Sequence, residues 1–121
     1  MCTNLLVIGA SARALAASAD RLGLEVNAID LFGDRDLRDV CSRVVQVSAD
    51  AYPDDVPSIA AGFPAGPVVY AGGLENHIEV IEKLSRVRLL LGNHPRAVRL
   101  VRDPRFVREV ACENGCAYPA I

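Results

Sequence analysis

Two hydrophobic periods alternate along this chain. Leu5-Leu6-Val7-Ile8 is a continuous apolar run ending at Gly9, the pattern of a strand buried on both faces. Ala12, Leu15, Ala16, Ala19 and Leu22 then recur at helical spacing, and Gly23 stands where a helix C-cap belongs. EVNAID predicts a second strand with Asp30 at its carboxyl end, DRDLRDV (34–40) a short helix or turn, and RVVQV (43–47) a third strand. Residues 51–61 predict a helix interrupted by Pro53 and Pro57, followed by a loop over 62–66. A fourth strand is predicted over PVVYA (67–71). Beyond Gly72-Gly73, the positions Leu74, Ile78, Ile81 and Leu84 form a helical stripe, and VRLLL (87–91) predicts a fifth strand. Pro95 opens one more helix near its first position; Asp103 and Pro104 open the last as N-cap and N1, and Asn114-Gly115 closes it with a left-handed cap.

Strands that alternate with helices pair in parallel, and right-handed crossovers bury the sheet between helical layers. The expected fold is therefore α/β, an open, doubly wound, mainly parallel sheet of about five strands in the Rossmann-like manner. One domain spans residues 1–115. The apolar CAYPAI (116–121) reads as the start of a linker to a domain outside the sequence.

In such sheets ligands bind beyond the carboxyl ends of the strands, where strand order reverses. With the order 3-2-1-4-5, the reversal falls between the first and fourth strands. The loops there are Gly9-Ala10-Ser11-Ala12-Arg13 and Gly72-Gly73-Leu74-Glu75-Asn76. Gly9, Ala14 and Asp30 match parts of a dinucleotide fingerprint, Asp30 at about the 20-residue offset of a ribose-binding acid. Its middle glycine is Ser11, whose Cβ obstructs approach to a pyrophosphate. With Ser11 as N-cap, Arg13 sits in the first helical turn, where the dipole disfavours a cation by roughly 0.3–1 kcal/mol. Either Asp30, Asp34 or Asp36 answers that charge within the fold, or an anionic substrate group does. In the second loop, glycines allow close backbone approach, while Glu75 suits an amine and Asn76 a polar group. The bland alternative is a plain strand-to-helix turn with Glu75 at a favourable dipole end.

His94, beside a helix start with no matching Ser or Cys, does not make a hydrolase triad. Arg96, Arg99, Arg102, Arg105 and Arg108 recur every third residue and read as a solvated basic face or a docking surface. A formal charge of −2 argues against nucleic acid as the main partner. Every apolar run stops well short of the roughly 18 residues of a membrane span, and no leader precedes Leu5, so the expected location is cytoplasmic. Cys2, Cys41, Cys112 and Cys116 are scattered, so free thiols are expected; Cys112 and Cys116, four apart, fit helix packing better than zinc, which wants four ligands.

GASARALAASADRLGLEVNAIDLFGDRDL (9–37), VVYAGGLEN (68–76), LLGNHPRAVRLVRDP (90–104) and ENGCAYPAI (113–121) together resemble the N-terminal domain of ATP-grasp enzymes, the module that precedes the ATP-grasp fold in biotin carboxylase and related ligases. YAGGLEN followed by LLGN is similar, more narrowly, to ATP-grasp proteins of tetrahydromethanopterin-linked one-carbon metabolism. The resemblance implies a substrate-side domain, not catalytic alone, of a ligase that activates a carboxylate with ATP and passes the acyl group to an amine or thiol. It places ATP and Mg²⁺ in a downstream ATP-grasp domain, so this chain, with Lys83 its single lysine, binds neither cofactor nor metal. Small carboxylate and amine substrates would face Gly9, Ala10, Ser11, Arg13 and Asp30 on one side and Gly72 to Asn76 on the other. A homodimer is compatible with this picture. The alternatives are a small NAD(P)-binding regulatory domain, resting on Gly9 and Asp30, and an interaction module using the arginine-rich helices.

Overall fold

A computed structural model describes residues 4–120. Four parallel strands, β1 (Asn4–Ile8), β2 (Glu25–Asp30), β3 (Arg43–Gln46) and β4 (Val68–Tyr70), form one sheet in the order β3-β2-β1-β4. The helices are α1 (Arg13–Arg21), α2 (Arg35–Val40), α3 (Val56–Ala60), α4 (Ile78–Val87), α5 (Pro95–Val101) and α6 (Pro104–Glu113). The reversal of strand order lies between β1 and β4, as the alternating pattern implied.

Strand alternation divides the core. Leu6 and Ile8 point into one layer with Ile29, Val56, Val68, Ile81 and Leu84, beneath α3 and α4. Leu5 and Val7 point into the other with Val26, Ala28 and Leu37, beneath α1 and α2. On α1 the buried side chains are alanines, Ala16 and Ala19, with Ala12 just before them, so that helix lies close to the sheet. Proline and glycine act where the sequence placed them. Pro95 and Pro104 occupy first-turn positions, and the Asp103 carboxylate accepts the Arg105 N–H at 2.9 Å. Gly23 and Gly115 follow α1 and α6 at φ +77° and +69°. Among the described residues no helix is long and apolar enough to cross a membrane.

Three expected elements differ. The fifth strand is a single bridge, Leu90 to Val68, because α4 continues through Val87 and β4 offers only three residues of edge. Leu90 is buried there, whereas Leu89 and Leu91 remain 69% and 48% exposed. The helix expected over 51–61 shortens to α3, preceded by turns, since neither proline can donate a backbone hydrogen bond and Pro57 fits only at a helix start. The stripe from Leu74 begins as a 3₁₀ turn, Leu74–Asn76, and α4 follows it.

Arg88, in the segment that the periodicity assigned to a strand, anchors the loop before β4. Its Nη1 donates to the carbonyls of Pro64 and Gly66 at 3.0 and 3.1 Å, and its Nη2 to those of Ala60 and Phe63 at 2.8 and 3.1 Å. A planar guanidinium can span four carbonyls; an ammonium cannot. Arg88→Met is therefore expected to lose about 2–3 kcal/mol in urea denaturation, with Arg88→Lys recovering only a minor part. A loss within about 0.5 kcal/mol for Arg88→Met would show that the loop is held by other contacts.

Candidate functional site at the strand switch point

The first loop leaves β1 through Gly9, whose backbone runs against the end of β4. A Cβ there would stand 2.8 Å from the Ala71 Cβ, so close approach requires glycine. The loop is also bonded to its neighbours: Gly9 donates to the Ile29 carbonyl at 3.2 Å, and the Ala10 carbonyl accepts from Leu31 at 3.2 Å. The start of α1 departs from expectation. Ala12, not Ser11, is the N-cap, and Ser11 is exposed with no capping bond.

The acceptor comes instead from β2. Asp30 is fully buried, its Oδ2 accepting the Ala12 N–H at 2.9 Å and its Oδ1 accepting those of Phe32 and Gly33, each at 2.6 Å. Both oxygens are thus bonded to backbone. Arg13 forms an ion pair with Asp36 on α2, both side chains more than half exposed. Its charge is met inside the fold, at the modest strength of a surface pair.

In the second loop Gly73 adopts φ +102°, and the Glu75 Oε2 accepts its N–H at 2.7 Å. Leu74 is fully buried in the core and anchors the turn. The Asn76 Oδ1 accepts from Arg102 Nη2 at 2.6 Å, which ties the turn to α5. Tyr70, at the end of β4, donates from its hydroxyl to the Asn93 carbonyl at 2.7 Å. Between these groups lies a crevice of about 340 Å³ whose lining includes Tyr70, Gly72, Glu75, Asn93 and Arg102 over an apolar side formed by Val98. A larger hollow of about 550 Å³ runs along exposed α6, lined by Arg105, Arg108, Glu109 and Cys112. It lies on a single helix with no buried residue, so the strand-end crevice is the better candidate.

The structure brings Gly72 and Glu75 into the crevice and leaves Asn76 bonded at its rim. Gly9, Ala10, Ser11 and Asp30 build the neighbouring loop, while Arg13 turns to Asp36. Sequence reasoning missed Tyr70, Asn93 and Arg102 as lining residues. Arg102 was hidden within the three-residue arginine repeat; Asn93 had a signal in its position after the fifth apolar run. Burial first, then the Glu75 charge, raises the hydroxyl pKa of both Tyr52 and Tyr70. Among the described residues no group of three or more His, Cys, Asp or Glu is placed to hold a metal ion.

No protein-family model and no curated protein matches the chain. Solved structures do. The biotin carboxylase domain of a single-chain bacterial carboxylase superposes with a TM-score of 0.72 at 22% identity, over 96% of this chain and 30% of that one. The biotin carboxylase subunit of pyruvate carboxylase gives 0.71 at 18%, over 95% and 28%. N5-carboxyaminoimidazole ribonucleotide synthetase from Thermus thermophilus gives 0.66 at 18%, over 95% and 31%. The fold is that of the N-terminal domain of these proteins. The chain spans about 30% of the length of these three structures.

Asp30→Ala leaves three backbone N–H groups without their acceptor and should cost at least about 3 kcal/mol by urea denaturation. Asp30→Asn should not recover it fully, because one oxygen becomes a donor facing an N–H. The Cys41 thiol is pushed up to about 11 by burial, with Asp20 and Asp30 adding to the rise. Cys112 and Cys116 are exposed. At pH 8 a thiol reagent followed by peptide mass spectrometry should therefore modify Cys41 at least about tenfold more slowly than either. Equal rates would refute the shielding.

Proposed function

We propose that this chain is the substrate-side N-terminal domain of an ATP-dependent ligase that joins a carboxylate to an amine or thiol. The observation that carries the reading is the crevice between the carboxyl end of β4 and α5, next to the β1–β4 switch point of a fold shared with biotin carboxylase and N5-carboxyaminoimidazole ribonucleotide synthetase. The lining of that crevice includes both Glu75 and Arg102. Glu75 retains lone pairs beyond the one used by Gly73 and is suited to receive an amine N–H. Arg102 offers further donors for a carboxylate beyond the one held by Asn76. Arg13 reaches an anion only by sharing or leaving Asp36, and Asp30 contributes by shaping the loop that Gly9, Ala10 and Ser11 follow.

ATP and Mg²⁺ belong, on this reading, to a downstream ATP-grasp domain of the same protein. Lys83 is the single lysine of this chain, and the proposal assigns no step of nucleotide chemistry to its residues. The likeness of YAGGLEN and LLGN to proteins of tetrahydromethanopterin-linked metabolism supports a one-carbon substrate within the same class. A cytoplasmic location accords with substrates and ATP of that kind. The dinucleotide alternative gains no support from Asp30, which is fully buried.

Calorimetry should find no saturable Mg-ATP binding by the 121-residue chain. A chain extended by the residues encoded after Ile121 should form ADP only when a carboxylate and an amine or thiol acceptor are supplied together. Tight Mg-ATP binding by the short chain, or an extended chain without nucleotide turnover, contradicts the proposal.

A further inference from the structure

Among the described residues, the hydroxyl of Tyr52 is a buried polar atom without a hydrogen-bond partner. The ring packs on the core layer under α3 and α4. The hydroxyl lies under the seam between the two switch-point loops: a Cβ placed on Gly73 would be 3.9 Å from it and 3.4 Å from the Ala10 Cβ. Native proteins pair nearly all buried polar groups, so an unpaired hydroxyl beneath a candidate site has a partner to gain. Burial, reinforced by the Glu75 charge, keeps this hydroxyl protonated and therefore a donor. The Glu75 carboxylate, which accepts the Gly73 N–H, is an acceptor with capacity left over. Gly73 carries no side chain over the hydroxyl.

We propose that Tyr52 is a ligand-binding residue, its hydroxyl donating to the carbonyl oxygen of a neutral amide-type group whose N–H faces Glu75. This rests on reading the crevice as the substrate side of a ligase, where joining a carboxylate to an amine creates such a group. A carboxylate in the same place would set a second negative charge beside Glu75. The hydroxyl is covered in the unliganded fold, so the ligand gains it when the turn at Gly72 and Gly73 shifts. Gly72 is exposed, with open space where a side chain would be.

The test uses the 121-residue chain with N-methylacetamide and acetate as probes of similar size and different charge. Backbone amide NMR shifts at Ala10, Gly72 and Gly73 report binding, and thermal melting reports stability. Wild type should show saturable shifts with N-methylacetamide at least about fivefold stronger in affinity than with acetate. Tyr52→Phe should weaken that binding at least about fivefold while melting at the same or a higher temperature, since it removes an unpaired hydroxyl. The proposal is overturned if Tyr52→Phe binds like wild type, if wild type shows no shifts, if acetate binds as well, or if Tyr52→Phe melts several degrees lower. The last result would reveal a structural partner for the hydroxyl. ADP formation by the extended chain is a separate readout: it persists if only the Tyr52 assignment is wrong. Its absence alongside intact amide binding removes the ligase reading alone.

Discussion

The switch point depends on one buried carboxylate. Asp30 sits at the end of β2, yet it fixes the entrance to α1 through Ala12 and the turn after its own strand through Phe32 and Gly33. Hydrogen bonds to a charged acceptor are stronger than neutral ones and suffer little competition from water when buried. Three such bonds converge on a group that is itself inaccessible. The loop after β1 is consequently set by a residue 18 positions away in sequence, which explains why its own serine is left free in solvent.

Around that anchor, the shape of the site comes from side chains that are missing or small. Gly9 lets the first loop touch the end of β4, and Ala12, Ala16 and Ala19 let α1 settle on the sheet. Gly73 turns the second loop at a φ that an L side chain resists. The resulting loops approach each other at Ala10 and Gly73 and leave the adjoining crevice to the side chains of Glu75, Tyr70 and Arg102. The surrounding charges are held lightly by comparison. Arg13 to Asp36 and Arg99 to Glu82 are solvent-exposed pairs, typically worth about 0–1 kcal/mol each, so a ligand or neighbouring domain can redirect them at small cost.

What the sequence made legible was local chemistry. The first four strands, the proline-opened helices at Pro95 and Pro104 and the glycine caps at Gly23 and Gly115 are each specified by adjacent residues, and they are present within a residue or so of their expected bounds. The position of both switch-point loops followed from strand order. Features specified by distant partners were not legible. Ser11 satisfied every local rule for an N-cap and lost to Asp30, because a buried acceptor on the neighbouring strand outweighs an exposed hydroxyl. VRLLL had the composition of a strand, but Arg88 is committed to carbonyls across the loop at 60–66 and only Leu90 pairs. Tyr52 carried no sequence signal, since the helix expected around it gave way to turns that bring its hydroxyl beneath Gly73.

This division between local and distant specification bears on how fold and chemistry relate here. At 15–22% identity the shared architecture speaks for the scaffold, and a scaffold of this kind hosts many reactions. The groups that would discriminate among them are those the scaffold brings together from separate elements: Tyr70 from β4, Glu75 from the following turn, Arg102 from the end of α5. Each is held by a bond to backbone or to a neutral side chain, and none is consumed by an ion pair among the described residues. A carboxylate and a guanidinium placed on one crevice without neutralising each other retain their capacity for a ligand of mixed polarity.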